Sequence, residues 1–115
     1  MLKKIFYIFL IIVFGTFIDF LVHQSYPPFH VPFEYFPNKI IFGTFWGVVF
    51  TLIAEKLSFS WKKKSIFVPL MVAIVLQTKY FFQGYDLSFV VIFLFLHFFM
   101  FLPASFIIFK KYLNK

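Results

Sequence analysis

The chain contains no cysteine and no arginine. The first absence excludes disulfides, thiolate chemistry and cysteine-based metal centres, and it leaves the redox compartment unread. The second makes every basic residue a lysine. Acidic residues are scarce, four against eleven basic ones, so the net charge is +7. No nucleophile elbow, phosphate-binding loop, dinucleotide fingerprint or HExxH motif occurs. No cofactor and no metal is therefore expected, and an enzyme is disfavoured.

What fills the chain instead is apolar. Of 115 residues, 63% are hydrophobic and 23 are phenylalanine, and the mean hydropathy is +0.95. A soluble domain is nearer half apolar. A chain this short cannot bury so much apolar surface inside itself, whereas a bilayer removes the need. The lysines flank apolar segments and do not form a patch interleaved with aromatics. That pattern fits anchoring at a membrane surface and excludes nucleic acid as a partner.

Four apolar segments emerge. They run from about Ile5 to Val22, Ile40 to Lys56, Ser65 to Phe82 and Leu87 to Phe109. Eighteen residues of helix span about 27 Å, near the hydrocarbon thickness. The first segment follows Lys3 and Lys4 as a signal peptide would. No small-x-small cleavage site follows it, so we read a retained helix. The expectation is a single all-α transmembrane domain, 1–115, with four helices in an antiparallel bundle. An outer loop spans 23–39 and an inner basic loop 57–64.

Lysine placement orients the bundle. Four spans put Lys3, Lys4, Lys56, Lys62, Lys63, Lys64, Lys110, Lys111 and Lys115 on one side, and Lys39 and Lys79 on the other. Nine against two predicts cytoplasmic termini in a multi-pass protein of the plasma membrane. The outer loop carries YPPFHVPFEYFP, whose prolines break regular structure and whose aromatics suit the interface.

Helical spacing gathers the small and polar residues into stripes. Gly15, Asp19 and His23 step by four on the first helix; Gly43, Gly47, Thr51 and Glu55 do so on the second. Ala73, Gln77 and Tyr80 share a face of the third, and Asp86, His97 and Ala104 one of the fourth. These faces should meet neighbouring helices. Gly15, Gly43 and Gly47 are read as helix-packing positions, the Gly43-x3-Gly47 pair against helix one or, alternatively, against a second subunit. The string FGTF occurs at 14–17 and 42–45.

The candidate intramembrane polar site is Asp19, His23, Gln77, Lys79 and His97. A carboxylate at the depth of Asp19 needs a partner or water. Lys79 lies at a similar depth, yet its offset from Gln77 on the wheel favours snorkelling to the headgroups. His97, in the middle of its helix, is either a neutral hydrogen-bonding group for Gln77 or a proton-relay group. Asp19 with His23, and His30 with Glu34, have i,i+4 spacing, but the loop prolines give this no firm metal geometry.

The basic start, the apolar run and Gly15-Thr16 followed by Asp19, with basic residues ending helices two and four, resemble GtrA-like proteins. These are small four-helix membrane proteins linked to movement of lipid-linked sugars. The resemblance covers the layout and one helix. The chain departs from it where Glu55-Lys56 and Lys110-Lys111 replace an expected Asn-Arg signature.

The sequence thus predicts a small transport-related membrane protein for an ion, proton or lipid-like solute. The alternatives are a non-catalytic accessory or assembly subunit, a GtrA-like sugar translocation protein and a small membrane enzyme. Expected partners are the lipid bilayer and a homo-oligomer or another membrane protein.

Overall fold

A computed structural model of the chain describes residues 1–27 and 31–113. It contains four helices: α1 Leu2–Ser25, α2 Tyr35–Lys56, α3 Trp61–Phe82 and α4 Leu87–Lys111. Each is long and apolar enough to cross a membrane, as a multi-pass membrane protein requires. The longest dimension is 42 Å, close to a bilayer with its headgroups.

α1 and α3 each pack against both α2 and α4. No close backbone approach crosses either diagonal among the described residues. The start of α1 and the end of α2 lie together, because Lys4 Nζ and Glu55 Oε1 pair at 2.7 Å. Glu55 thus has a partner on another helix, where the sequence reading had it solvated beside Lys56.

Most of the polar stripe residues turn inward and many of the phenylalanines outward. Phe17, Phe45, Phe82, Phe95 and Phe99 are all more than half exposed. Ile8, Ile12, Val72, Phe101 and Phe109 form the main core. A smaller cluster of Val31, Phe36, Tyr80 and Val90 closes the other end. Between the two lies the polar interior described below.

α2 begins at Tyr35, earlier than the hydropathy pattern suggested. Pro37 sits in its first turn, where a missing N–H costs nothing because no intrahelical acceptor exists for it. Lys39 is thereby inside a helix and not on a loop. α3 begins at the Ser60 cap, whose hydroxyl accepts from the Lys63 N–H. Gly84 turns the chain from α3 to α4 with φ +90, a conformation that favours glycine.

Pro69 lies inside α3 and cannot donate to the carbonyl of Ser65 four residues back. That carbonyl is instead met by the Ser105 hydroxyl of α4 at 2.9 Å, with both serines fully buried. A neighbouring side chain thus satisfies the group the proline releases, as the hydrocarbon region demands.

Candidate functional site

The stripes of α1 and α2 continue further than their small residues. Stepping back by four from Gly47 and Gly43 reaches Lys39, which places its side chain toward the α1 stripe of Gly15, Asp19 and His23. Asp19 and His23 from α1, Lys39 from α2, Gln77 from α3 and His97 from α4 meet in the interior. None of the five is more than 5% exposed.

Asp19 is the hub. Its Oδ2 takes the Lys39 ammonium at 2.5 Å. Its Oδ1 faces His23 Nε2 and His97 Nε2, both at 3.2 Å. Oδ1 completes no hydrogen bond among the described residues, and the two imidazoles are its polar neighbours. Lys39 Nζ also lies 3.2 Å from His97 Nε2, which bridges the diagonal between α2 and α4. The Tyr80 and Phe36 rings flank the ammonium at 4.9 and 5.3 Å. His23 stacks flat on Phe93, with centroids 4.4 Å apart.

Hydrogen-bond chemistry assigns the protons. His97 Nδ1 is 2.7 Å from the Phe93 carbonyl, which can only accept, so Nδ1 carries hydrogen. Nε2 of a neutral His97 then accepts from Lys39, which leaves His23 Nε2, 3.2 Å away, as the nitrogen able to donate toward Asp19 Oδ1. The Gln77 carboxamide lies 2.9 Å from Nδ1 and best presents its oxygen there, an atom otherwise without a partner among the described residues. This arrangement is neutral overall, which the low dielectric of the interior favours. A further proton on His97 turns Nε2 into a donor toward Asp19 Oδ1 and ends its bond from Lys39. A protonated cluster would therefore differ from the neutral one in its hold on Lys39.

Four of the five residues singled out from sequence, Asp19, His23, Gln77 and His97, come together here. Lys79 does not. It is exposed, with its ammonium 5.5 Å from the Phe42 ring, and Asp19 pairs with Lys39 instead. The offset of Lys79 from Gln77 on the helical wheel turns it outward. Asp86, placed on the His97 face by spacing, is exposed at the N-cap of α4. His30 lies outside the described residues. Among the described residues no three metal-ligating side chains are set to hold an ion.

All three packing glycines are inside. Gly43 and Gly47 face Ile12 and Ile8 of α1, so their pair serves contact within the chain. Gly15 instead faces the Phe101 ring of α4, away from Gly43. The two FGTF strings therefore do not meet as a symmetric pair.

A narrow cleft between α2 and α3 reaches the cluster from outside. It is lined by Tyr35, Lys39, Phe42, Lys79, Tyr80 and Gln83, among others, and its volume of about 10 Å³ has room for one water. Near its mouth, Tyr85 donates to the Tyr35 hydroxyl at 3.3 Å. Partial burial, then this contact, pushes the Tyr85 phenol up to about 12.

No protein-family model, curated protein or solved structure matches the chain. The resemblance to GtrA-like proteins thus gains no support beyond layout.

Proposed function

We propose that this chain is an antiparallel four-helix protein of the plasma membrane, with both termini cytoplasmic, that moves protons or a small cation through the Asp19 cluster. The carrying observation is one carboxylate shared by an ammonium and two imidazoles, with all four helices contributing to the cluster. Ionisable groups inside a membrane bundle are costly and mark substrate or proton pathways. Here the groups are poised so that one added proton changes which partners Asp19 and Lys39 keep. Such coupling is what a proton-linked carrier needs.

The lysine bias supports the orientation. Lys39, being buried, no longer counts as an outer-loop charge, which leaves Lys79 alone on that side. The absence of cysteine makes the orientation simple to test. Single cysteines at Lys63 and Gln83 should label with impermeant reagent from opposite sides of intact cells.

Purified protein in liposomes with an internal pH dye tests the activity. An imposed gradient should dissipate faster with the wild type than with Asp19→Asn or His97→Ala, while all three keep their helical content. Equal rates for all three would refute transport through this cluster.

The second reading is an accessory subunit. It is favoured by two apolar grooves on the lipid-facing side. One is lined by Leu10, Phe14, Phe17 and Pro103 among others, the second by Ile5, Phe9, Ile41 and Phe45 among others. A monomer by native mass spectrometry with no flux would favour that role.

A further inference from the structure

The ammonium of Lys39 is enclosed as a bound ligand would be. Asp19 Oδ2 lies at 2.5 Å, His97 Nε2 at 3.2 Å and His23 Nε2 at 3.5 Å. The Tyr80 and Phe36 rings face it from two further directions. A carboxylate, the His97 ring nitrogen that can accept and aromatic faces are together the contacts that select a primary ammonium group. The chemistry is therefore that of an N–H cation.

This occupant is tied to the protein by a flexible four-carbon stem. Lys39 also lines the cleft that reaches Lys79 and Gln83, both exposed. An ammonium head that leaves Asp19 thus has a cleft open to it that leads toward the exposed Lys79 and Gln83. Protonation of His97 removes one of its acceptors and adds a like charge beside it, which favours that departure.

We propose that Asp19, His23 and His97, with Tyr80 and Phe36, form a binding site for ammonium or a small primary alkylammonium cation, and that Lys39 is its tethered occupant. The free cation enters as Lys39 withdraws along the α2–α3 cleft. This deepens the transport reading and rests on it, by naming the cation that the same site would carry.

Lys39→Ala removes the tethered group and leaves its enclosure. Detergent-solubilised variant is titrated with methylammonium and propylammonium, and with tetramethylammonium as a cation that has no N–H. Propylammonium at about 100 mM should raise Tm by at least about 4 °C. Tetramethylammonium should not, and Asp19→Asn in the same background should abolish the rise. Lys39→Gln, which retains most of the side-chain length, serves if Lys39→Ala does not fold; methylammonium should raise its Tm.

In parallel, wild-type proteoliposomes report labelled methylammonium uptake and internal pH. Saturable uptake that is lost in Asp19→Asn supports the site and the transport reading together. No Tm rise in either variant overturns the ammonium site, and persisting proton flux would then leave the transport reading standing without it. A Tm rise with no flux of either species keeps the site and overturns transport. An equal rise with tetramethylammonium overturns recognition through N–H donation.

Discussion

Lys39 and Asp19, twenty residues apart in sequence, meet at 2.5 Å inside the bundle. The pair joins α1 to α2 near the connection between them. It also carries the two formal charges of the cluster.

Removing one partner leaves the other charge buried alone. Lys39→Met or Asp19→Asn should each destabilise the bundle, by about 3–5 kcal/mol when the remaining group stays charged. Asp19→Asn with Lys39→Met should recover most of that loss. Thermal unfolding of the three variants in detergent checks the cycle. Flux should be lost in all three, including the recovered double variant; a double variant with wild-type flux would refute a role for this pair in transport.

Ser105→Ala tests the proline compensation. It leaves the buried Ser65 carbonyl without its donor and should cost about 1–3 kcal/mol. In a Pro69→Ala background the helix can supply its own N–H to that carbonyl, so Ser105→Ala should then be nearly neutral. Equal costs in both backgrounds would show that the serine hydroxyl does not serve the proline break.

The three packing glycines should rank by what an added Cβ meets. At Gly15 the Cβ would fall on the Phe101 ring, at Gly47 it would lie 2.6 Å from Ile8 Cγ2, and at Gly43 it would lie 3.1 Å from Ile12 Cγ2. Overpacking costs typically about 1–3 kcal/mol, while alanine regains about 0.5–1 kcal/mol of helix preference. Gly15→Ala should therefore be the most destabilising and Gly43→Ala near neutral. Gly15→Ala with Phe101→Leu should recover part of the loss, as read from Tm.

Lys79→Gln offers the contrast to Lys39. Lys79 is exposed and outside the cluster, so its loss should change stability by no more than about 0.5 kcal/mol. A loss comparable with that of Lys39→Met would place Lys79 in the interior network.

Tyr85 sets an alkaline limit. Its phenol titrates at about 12 in the fold, above the usual tyrosine value. The folded state therefore prefers the neutral phenol. Stability from this group is complete below about pH 10 and is lost as pH climbs through about 12. Tyrosinate absorbance and Tm across that window should show the effect in the wild type and a smaller one in Tyr85→Phe.

Composition and periodicity were sufficient for the coarse architecture. Long apolar runs separated by lysines and prolines leave no alternative to membrane-length helices, because backbone polar groups in lipid must pair within the segment. The i,i+4 steps of Gly15, Asp19 and His23, and of Gly43, Gly47 and Thr51, showed which faces turn inward. Gln77 was legible from the face it shares with Ala73 and Tyr80, and His97 from its place in the middle of an apolar helix.

Lys39 was not. It stands four residues before Gly43 on the same stripe, so the signal existed. A lysine at the edge of an apolar run reads as an anchor, and hydropathy placed the helix start after it. Only the packed structure decides otherwise: α2 begins at Tyr35, and Asp19 lies across from the turn that carries Lys39. Which helix each face meets is likewise a tertiary fact. Gly15 packs on α4, and Ser105 reaches the carbonyl freed by Pro69. Local spacing determines the face a side chain presents, whereas the partner across that face depends on how four helices share one interior.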